Sequence, residues 1–206
     1  MSKGILIAFE GIDGTGKSTQ LPLLATYLRQ QGYTVIETRE PTTGPYGREI
    51  RNLFQNRQRV SREQELELFV LDRRQHVEEC ILPALAQGKI VLTDRYYFST
   101  AAYQGAAGCE PAVIFARNSF APEPDMVLLL TMSPGESVAR IRELRGEVLN
   151  DFEQQDQLEK VAALFASFGH GCIVRIPAAR PVLEVQSDIR EAVQQLLEKK
   201  GLECAG

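Results

Sequence analysis

The sequence has no tryptophan, only four cysteines and only two histidines in 206 residues. Cys80, Cys109, Cys172 and Cys204 lie far apart, no pair has metal-ligand spacing, and His76 and His170 stand alone. That excludes a zinc module and a disulfide-stapled scaffold, and it reads as reduced, structural thiols in a cytosolic (cytoplasmic) protein. No apolar run approaches the ~18–20 residues of a membrane span. The run Ile5–Phe9 is too short for a secretory leader and passes straight into a glycine-rich loop. Basic residues are not in excess: 23 Lys and Arg against 27 Asp and Glu leave a net charge of −4. Such a chain has no global attraction for a nucleic-acid polymer or an anionic membrane, so a site for an anionic ligand must be built locally.

What is present is ordinary globular composition, 44% hydrophobic and 24% charged, which rules out a disordered, collagen-like or coiled-coil chain. Roughly 70% of the unfolded surface can be buried at this length, so a single domain can form a core without disulfides or metal. Strand and helix patterns alternate. Ile5–Glu10 is a short, mostly apolar strand, followed by the loop Gly11–Gly16 and a helix from about Lys17 to Gln31 that Gly32 stops. A strand over Thr34–Thr38 and a short helix over Tyr46–Phe54 come next. Ser61 and Gln64 form a capping box that opens one long helix to about Gln87. Further strands are expected at Ile90–Thr93, Met126–Met132 and Cys172–Ile176. Helices are expected at Tyr97–Ala107, Pro111–Phe120, Pro134–Leu144, Phe152–Phe168 and Val182–Lys200, and the last six residues should fray. This alternation predicts an α/β fold: a five-stranded parallel sheet with helices on both faces, in three layers.

Gly11-Ile12-Asp13-Gly14-Thr15-Gly16-Lys17-Ser18 fits the phosphate-binding pattern G-x-x-x-x-G-K-[ST], the P-loop. Glycines let the backbone curl so that its N–H groups face a polyphosphate, and the helix starting near Lys17 aims its positive end at the same place. Lys17 can reach the β- and γ-phosphates and the Ser18 hydroxyl can hold Mg²⁺. The motif sits between a buried-type strand and an amphipathic helix, which is the context it needs. Asp94, at the carboxyl end of the third strand, has two readings: a carboxylate for a Mg²⁺-linked water or ligand hydroxyl, or a cap for the helix that follows.

No base-reading N-K-x-D element of a GTPase is present. The remaining residues point to a small kinase acting on a small phosphate. Ser99, Thr100, Tyr103 and Gln104 share one helical face. Phe69 and Arg73 are i, i+4 neighbours, an aromatic plate beside a guanidinium fork that suits a flat, hydrogen-bonding base. With the P-loop, four stretches now carry a resemblance: Phe-Glu-Gly-Ile-Asp-Gly-Thr-Gly-Lys-Ser-Thr-Gln (9–20), Thr-Arg-Glu-Pro (38–41), Leu-Phe-Val-Leu-Asp-Arg (68–73) and Asp-Arg-Tyr-Tyr-Phe-Ser-Thr-Ala-Ala-Tyr-Gln-Gly (94–105). The chain resembles the bacterial thymidylate kinase family over nearly its whole length.

That resemblance implies transfer of the γ-phosphoryl group of ATP, with Mg²⁺, to dTMP, and usually a homodimer. It implies that Gly11, Asp13, Gly14, Thr15, Gly16, Lys17, Ser18 and Thr19 hold ATP, with Arg140 against adenine and Ala178 in the loop on its other side. Asp13 would also bind the sugar 3′-hydroxyl, Phe69 would stack on thymine, and Arg73 and Thr100 would bond its edge. Tyr103 would press on the deoxyribose, with Ser99, Gln104 and Pro41 completing the pocket. Arg95, with Arg39 and Arg51, would hold the acceptor phosphate, and Ser18 and Asp94 the metal. In the family a further arginine comes from the P-loop or from a mobile lid. The loop here reads Asp13-Gly14, so the lid at about 141–153 would supply it, through Arg142 or Arg145. The lid departs from the family pattern at Asn150-Asp151-Phe152-Glu153. Two other readings stay open: a related kinase for another deoxynucleotide or nucleoside, and a nucleotide-binding relative without turnover.

Overall fold

The computed structural model describes residues 4–53, 60–145 and 154–202. Within them, strands Ile5–Glu10 (β1), Val35–Arg39 (β2), Ile90–Asp94 (β3), Met126–Thr131 (β4) and Ile173–Pro177 (β5) pair in parallel in the order β2-β3-β1-β4-β5. Strand ends differ from the sequence expectation by a residue, the ordinary fraying of such boundaries. Alternation along β1 explains the three layers. Leu6 and Ala8 face one core with Val91, Val127 and Leu129, under helices Arg62–His76 (α3), Tyr97–Ala106 (α5) and Gln155–Ser167 (α8). Ile5, Ile7 and Phe9 face the other with Leu92 and Leu128, under Lys17–Gln30 (α1) and Val182–Lys199 (α9). A strand buried on both sides has no polar face, which is why β1 reads as an unbroken apolar run until Glu10.

The helix after the capping box is not one regular element. Both capping-box hydrogen bonds form. After α3, however, Val77–Ile81 makes a π turn before Leu82–Ala86 (α4) continues with helical backbone. Pro83 has no N–H and its ring crowds the carbonyl four residues back, so the ladder must change just before it, and a wider turn is one way to do so. Pro45–Leu53 (α2) and Pro111–Arg117 (α6) are the short helices, and Pro134–Arg145 (α7) precedes the segment 146–153, which lies outside the described residues. α6 ends three residues earlier than its pattern predicts, and at its end the Asn118 side-chain amide donates to the Ile114 carbonyl.

The register sets the site. Phe9 lies level with Asp94, and Arg39 with Asp94 on the other side. Glu10, Asp94, Arg95, Arg39 and Glu40 therefore all emerge at one edge, the carboxyl end of the sheet, where open parallel sheets bind ligands.

Candidate active site

The loop after β1 is a cradle. Gly11 and Gly14 have φ of 130° and 78°, which a side chain rarely adopts, and neither has room for one. A Cβ at Gly11 would lie 2.3 Å from the Leu130 oxygen, and one at Gly14 would lie 2.7 Å from the Ser137 oxygen on α7. Thr15 bonds the Ile12 carbonyl at 2.9 Å and is buried. The N-terminus of α1 has no side-chain cap and no acid in its first turn, so its amides are open to an anion. Ser18 and Thr19 stand exposed in that first turn.

Lys17 is buried, its Nζ donating to the Gly11 and Ile12 carbonyls at 2.9 Å each. Burial, and then the Arg95 charge, push its ammonium down to about 8, against the pull of Asp13, Asp94 and Glu10. A polyanion arriving in the cradle would restore the ammonium and draw it off those carbonyls.

Arg95 is the second cation. Its guanidinium meets Asp13 Oδ1 at 2.8 Å and Ser99 Oγ at 2.8 Å, and lies 5.0 Å from the centre of the Tyr103 ring. The Tyr103 hydroxyl donates to Asp13 Oδ2 at 2.8 Å. Burial raises the Asp13 carboxyl, but Arg95 and then Lys17 outweigh it and hold it below its ordinary value. Arg95 is also the single non-glycine residue with positive φ, 74°, among the described residues. Its N–H bonds the Phe9 carbonyl at 2.9 Å and its carbonyl takes the Thr93 hydroxyl at 2.8 Å, so the left-handed turn is pinned on both sides.

Glu10, absent from the sequence-based site, lies behind this cluster. Fully buried, it accepts the Tyr96 and Ser99 amides at the start of α5 at 2.9 and 3.1 Å, and the Ser99 hydroxyl as well. It is the cap that Asp94 was one candidate for. Burial pushes its carboxyl up to about 7, although Ser99 and Arg95 pull the other way. Asp94 instead leaves Oδ1 buried and without a hydrogen-bond partner among the described residues. An orphaned carboxylate oxygen beside the cradle fits a cation or a cation-bound water. No three His, Cys, Asp or Glu side chains among the described residues converge as a metal cluster.

On the α3 side, the Arg73 fork is enclosed. It is 1% exposed. Its Nε donates to Glu40 Oε2 at 2.9 Å, Nη1 to Asn118 Oδ1 at 2.6 Å and Nη2 to Thr100 Oγ1 at 3.0 Å. His76 Nδ1 holds the other Glu40 oxygen at 2.9 Å, and its Nε2 meets Thr38 Oγ1 at 2.7 Å. The His76 ring thus joins Thr38 to Glu40, its Nδ1–H donating to the carboxylate. Burial raises the Glu40 carboxyl, but Arg73 and His76 win and hold it below its ordinary value. Glu40, His76 and Asn118 escaped the sequence reading; the one signal was an acid at a strand end inside Thr-Arg-Glu-Pro.

The other expected residues fall around these. Phe69 is half-buried on α3, and Thr100, Tyr103, Gln104 and Ser99 are buried on α5. Pro41 is buried, and its carbonyl takes Arg51 Nη1 at 3.0 Å, while Arg39 is exposed. Arg140 reaches the Gly14 carbonyl at 3.4 Å and the Ala178 carbonyl at 3.5 Å, bridging the cradle and the loop after β5. Arg142 is exposed on α7 and Arg145 ends that helix. The rest of the expected lid lies outside the described residues.

A five-stranded parallel sheet in this order, with a phosphate cradle after its central strand and a second cationic pocket alongside, defines a P-loop kinase fold. Comparison with known proteins narrows it. A family model described as thymidylate kinase matches residues 9–189. A thymidylate kinase of Desulfotalea psychrophila is 53% identical over 194 residues, covering 94% of this chain and 96% of the relative. One of Xanthomonas campestris is 45% identical over 192 residues, covering 93% and 81%. The chain belongs to the thymidylate kinase family.

Proposed function

We propose that the chain carries out the reaction its family is named for, transferring the γ-phosphoryl group of ATP to the 5′-phosphate of dTMP to give ADP and dTDP. The observation that carries this reading is the sharing of Asp13, a P-loop residue, by Arg95 and Tyr103 of the neighbouring pocket. Two phosphate-binding half-sites meet at one carboxylate, as a transfer between two phosphates requires.

The acceptor oxygen belongs to a phosphate monoester whose second pKa is about 6, so it is already anionic at neutral pH and needs no general base. It attacks the γ-phosphorus in line as the bond to the β-phosphate oxygen breaks, and ADP leaves with that electron pair. The chain's task is to align two polyanions and offset their repulsion. Lys17 follows the β- and γ-phosphates and Arg95 the acceptor phosphate, helped by Arg39 and Arg51. Gly14 has no room for a side chain beneath α7, so the further cation is assigned to Arg142 or Arg145 from the lid side. Ser18 and the unpartnered Asp94 oxygen would hold Mg²⁺, which would supply charge neutralisation across the β- and γ-phosphates. Phe69, Arg73, Thr100 and Gln104 take the base, with Ser99 and Pro41 at its margin. Arg140 and Ala178 flank adenine. We further read the chain as a cytoplasmic homodimer, on the family resemblance and on the exposed apolar side chains Leu82 and Val113.

The test is ADP release with ATP and Mg²⁺ across dTMP, dUMP, UMP, CMP and thymidine. The reading expects dTMP to be strongly preferred. Preference for another acceptor overturns it, and so does nucleotide binding with no turnover of any acceptor.

A further inference from the structure

Arg73 carries five N–H donors. Four are engaged within the chain: Nε and one Nη2 hydrogen on Glu40, the other Nη2 hydrogen on Thr100, and one Nη1 hydrogen on Asn118. One Nη1 N–H is left without a partner among the described residues. Each partner is itself fixed. His76 holds the second oxygen of Glu40, and Thr38 holds His76. The Asn118 amide is oriented by its own donation from Nδ2 to the Ile114 carbonyl at 2.8 Å, so its oxygen has to face Arg73. Asn118 is 2% exposed and Glu40 4%, so neither amide nor carboxylate can swing out into water. The Tyr96 ring lies 5.4 Å from the guanidinium carbon on one face.

We propose that Asn118, acting with Glu40 and His76, is a positioning residue for base selection: it locks Arg73 so that a single N–H remains to meet the base. This rests on the assignment of Arg73 to the base pocket above. A lone donor in a dry, rigid setting accepts a carbonyl at the 4-position of a pyrimidine and rejects an amino group there, which would set donor against donor. Thymine presents the carbonyl and cytosine the amine. The guanidinium's charge is matched by Glu40, so the pocket offers hydrogen-bond direction rather than net charge, and direction is what distinguishes the two bases. Freed of Asn118, the fork gains a second unassigned N–H, while Glu40 and Thr100 still hold Nε and Nη2.

Asn118 also ends α6, so a purely structural role has to be separated. The measurement is steady-state kinetics of the full chain with dTMP and with dCMP, alongside thermal melting. Asn118→Ala should raise the KM for dTMP roughly tenfold. It should leave kcat and the KM for ATP within about twofold and shrink the dTMP-to-dCMP ratio of kcat/KM by a similar tenfold factor. A variant that melts earlier but keeps the dTMP KM and the ratio overturns the proposal. Should the variant fail to fold, Asn118→Asp gives the second readout, since it keeps an oxygen for Arg73 Nη1 and gives up only the amide's donation to Ile114. A dTMP-to-dCMP ratio within about twofold of the unaltered chain supports the lock, and a roughly tenfold loss of the ratio in that folded variant overturns it. Absence of turnover with dTMP itself would instead overturn the function proposed above.

Discussion

At the scale of single residues, the site is decided by where charge is buried. Lys17 rests on two loop carbonyls with its ammonium lowered to about 8, so phosphates bound as proposed would recruit its full charge. Its contribution is largest where negative charge develops, in the transition state. Lys17→Ala should therefore lower kcat by about 10³-fold or more, with a smaller change in the KM for dTMP; near-normal kcat in steady-state assays would remove Lys17 from the chemistry. Glu10 carries the opposite lesson. Burial favours its neutral form and lifts its carboxyl from 4.5 to about 7. Its contribution to stability is full below pH 4.5 and is lost as pH rises through 7, because the folded state must then ionise a carboxyl that the unfolded chain ionised earlier. The difference is at most about 3 kcal/mol. Glu10→Gln keeps an acceptor for the Tyr96 and Ser99 amides but cannot ionise, so urea unfolding at pH 5 and pH 8 should show a smaller loss between the two for the variant. An undiminished loss would mean that another group carries the pH dependence.

At the scale of elements, the closeness of α7 to the cradle explains a choice the sequence only recorded. Gly14 combines φ of 78° with a Cβ position 2.7 Å from the Ser137 oxygen, a backbone atom. Gly135, two residues before Ser137 on α7, has nothing within 4 Å. Gly14→Ala should therefore cost roughly 1–3 kcal/mol in urea unfolding and weaken ATP binding. Gly135→Ala should be neutral or stabilising by about 0.4–1 kcal/mol. Equal effects at the two sites would mean that α7 does not press on the loop. The contrast also marks what was legible beforehand. Apolar patterning located every strand and the helices α1 and α9, because burial of their apolar residues is what builds the cores. The P-loop spelled itself out because backbone geometry demands glycine there. The π turn before Pro83, the left-handed Arg95 and the Glu40–Arg73–His76–Asn118 network were not legible. The cause of the last lies in residues far apart in sequence: Glu40 follows β2, Arg73 sits in α3 and Asn118 follows α6. A hydrogen bond between them leaves no local pattern, so the sequence marked Arg73 as a fork for a base without showing the partners that lock it.

At the scale of the whole molecule, strand order turns two pockets into one machine. β1 is central, and the chain visits β2 and β3 on one side before β4 and β5 on the other. The elements that follow therefore divide about β1: Glu40, Arg73 and Arg95 gather on the β3 side, and Arg140 and Ala178 on the β4–β5 side. The P-loop leaves β1 between them, with Asp13 reaching across to Arg95. The molecule is acidic overall, at −4, so attraction for phosphates has to come from local cations such as Lys17 and Arg95, and it falls off over a screening length of about 8 Å at physiological salt. Two half-sites built this way should be separable in the intact chain. A ligand present at a hundred times its Kd adds about 2.7 kcal/mol, a rise in melting temperature of roughly 5–11 °C at this size. ATP with Mg²⁺ and dTMP should each produce such a rise alone. Lys17→Ala should abolish most of the ATP shift and keep the dTMP shift, while Phe69→Ala should do the reverse. If either substitution removes both shifts equally, the division about β1 is wrong, because a loss common to both ligands means the two pockets collapse as one.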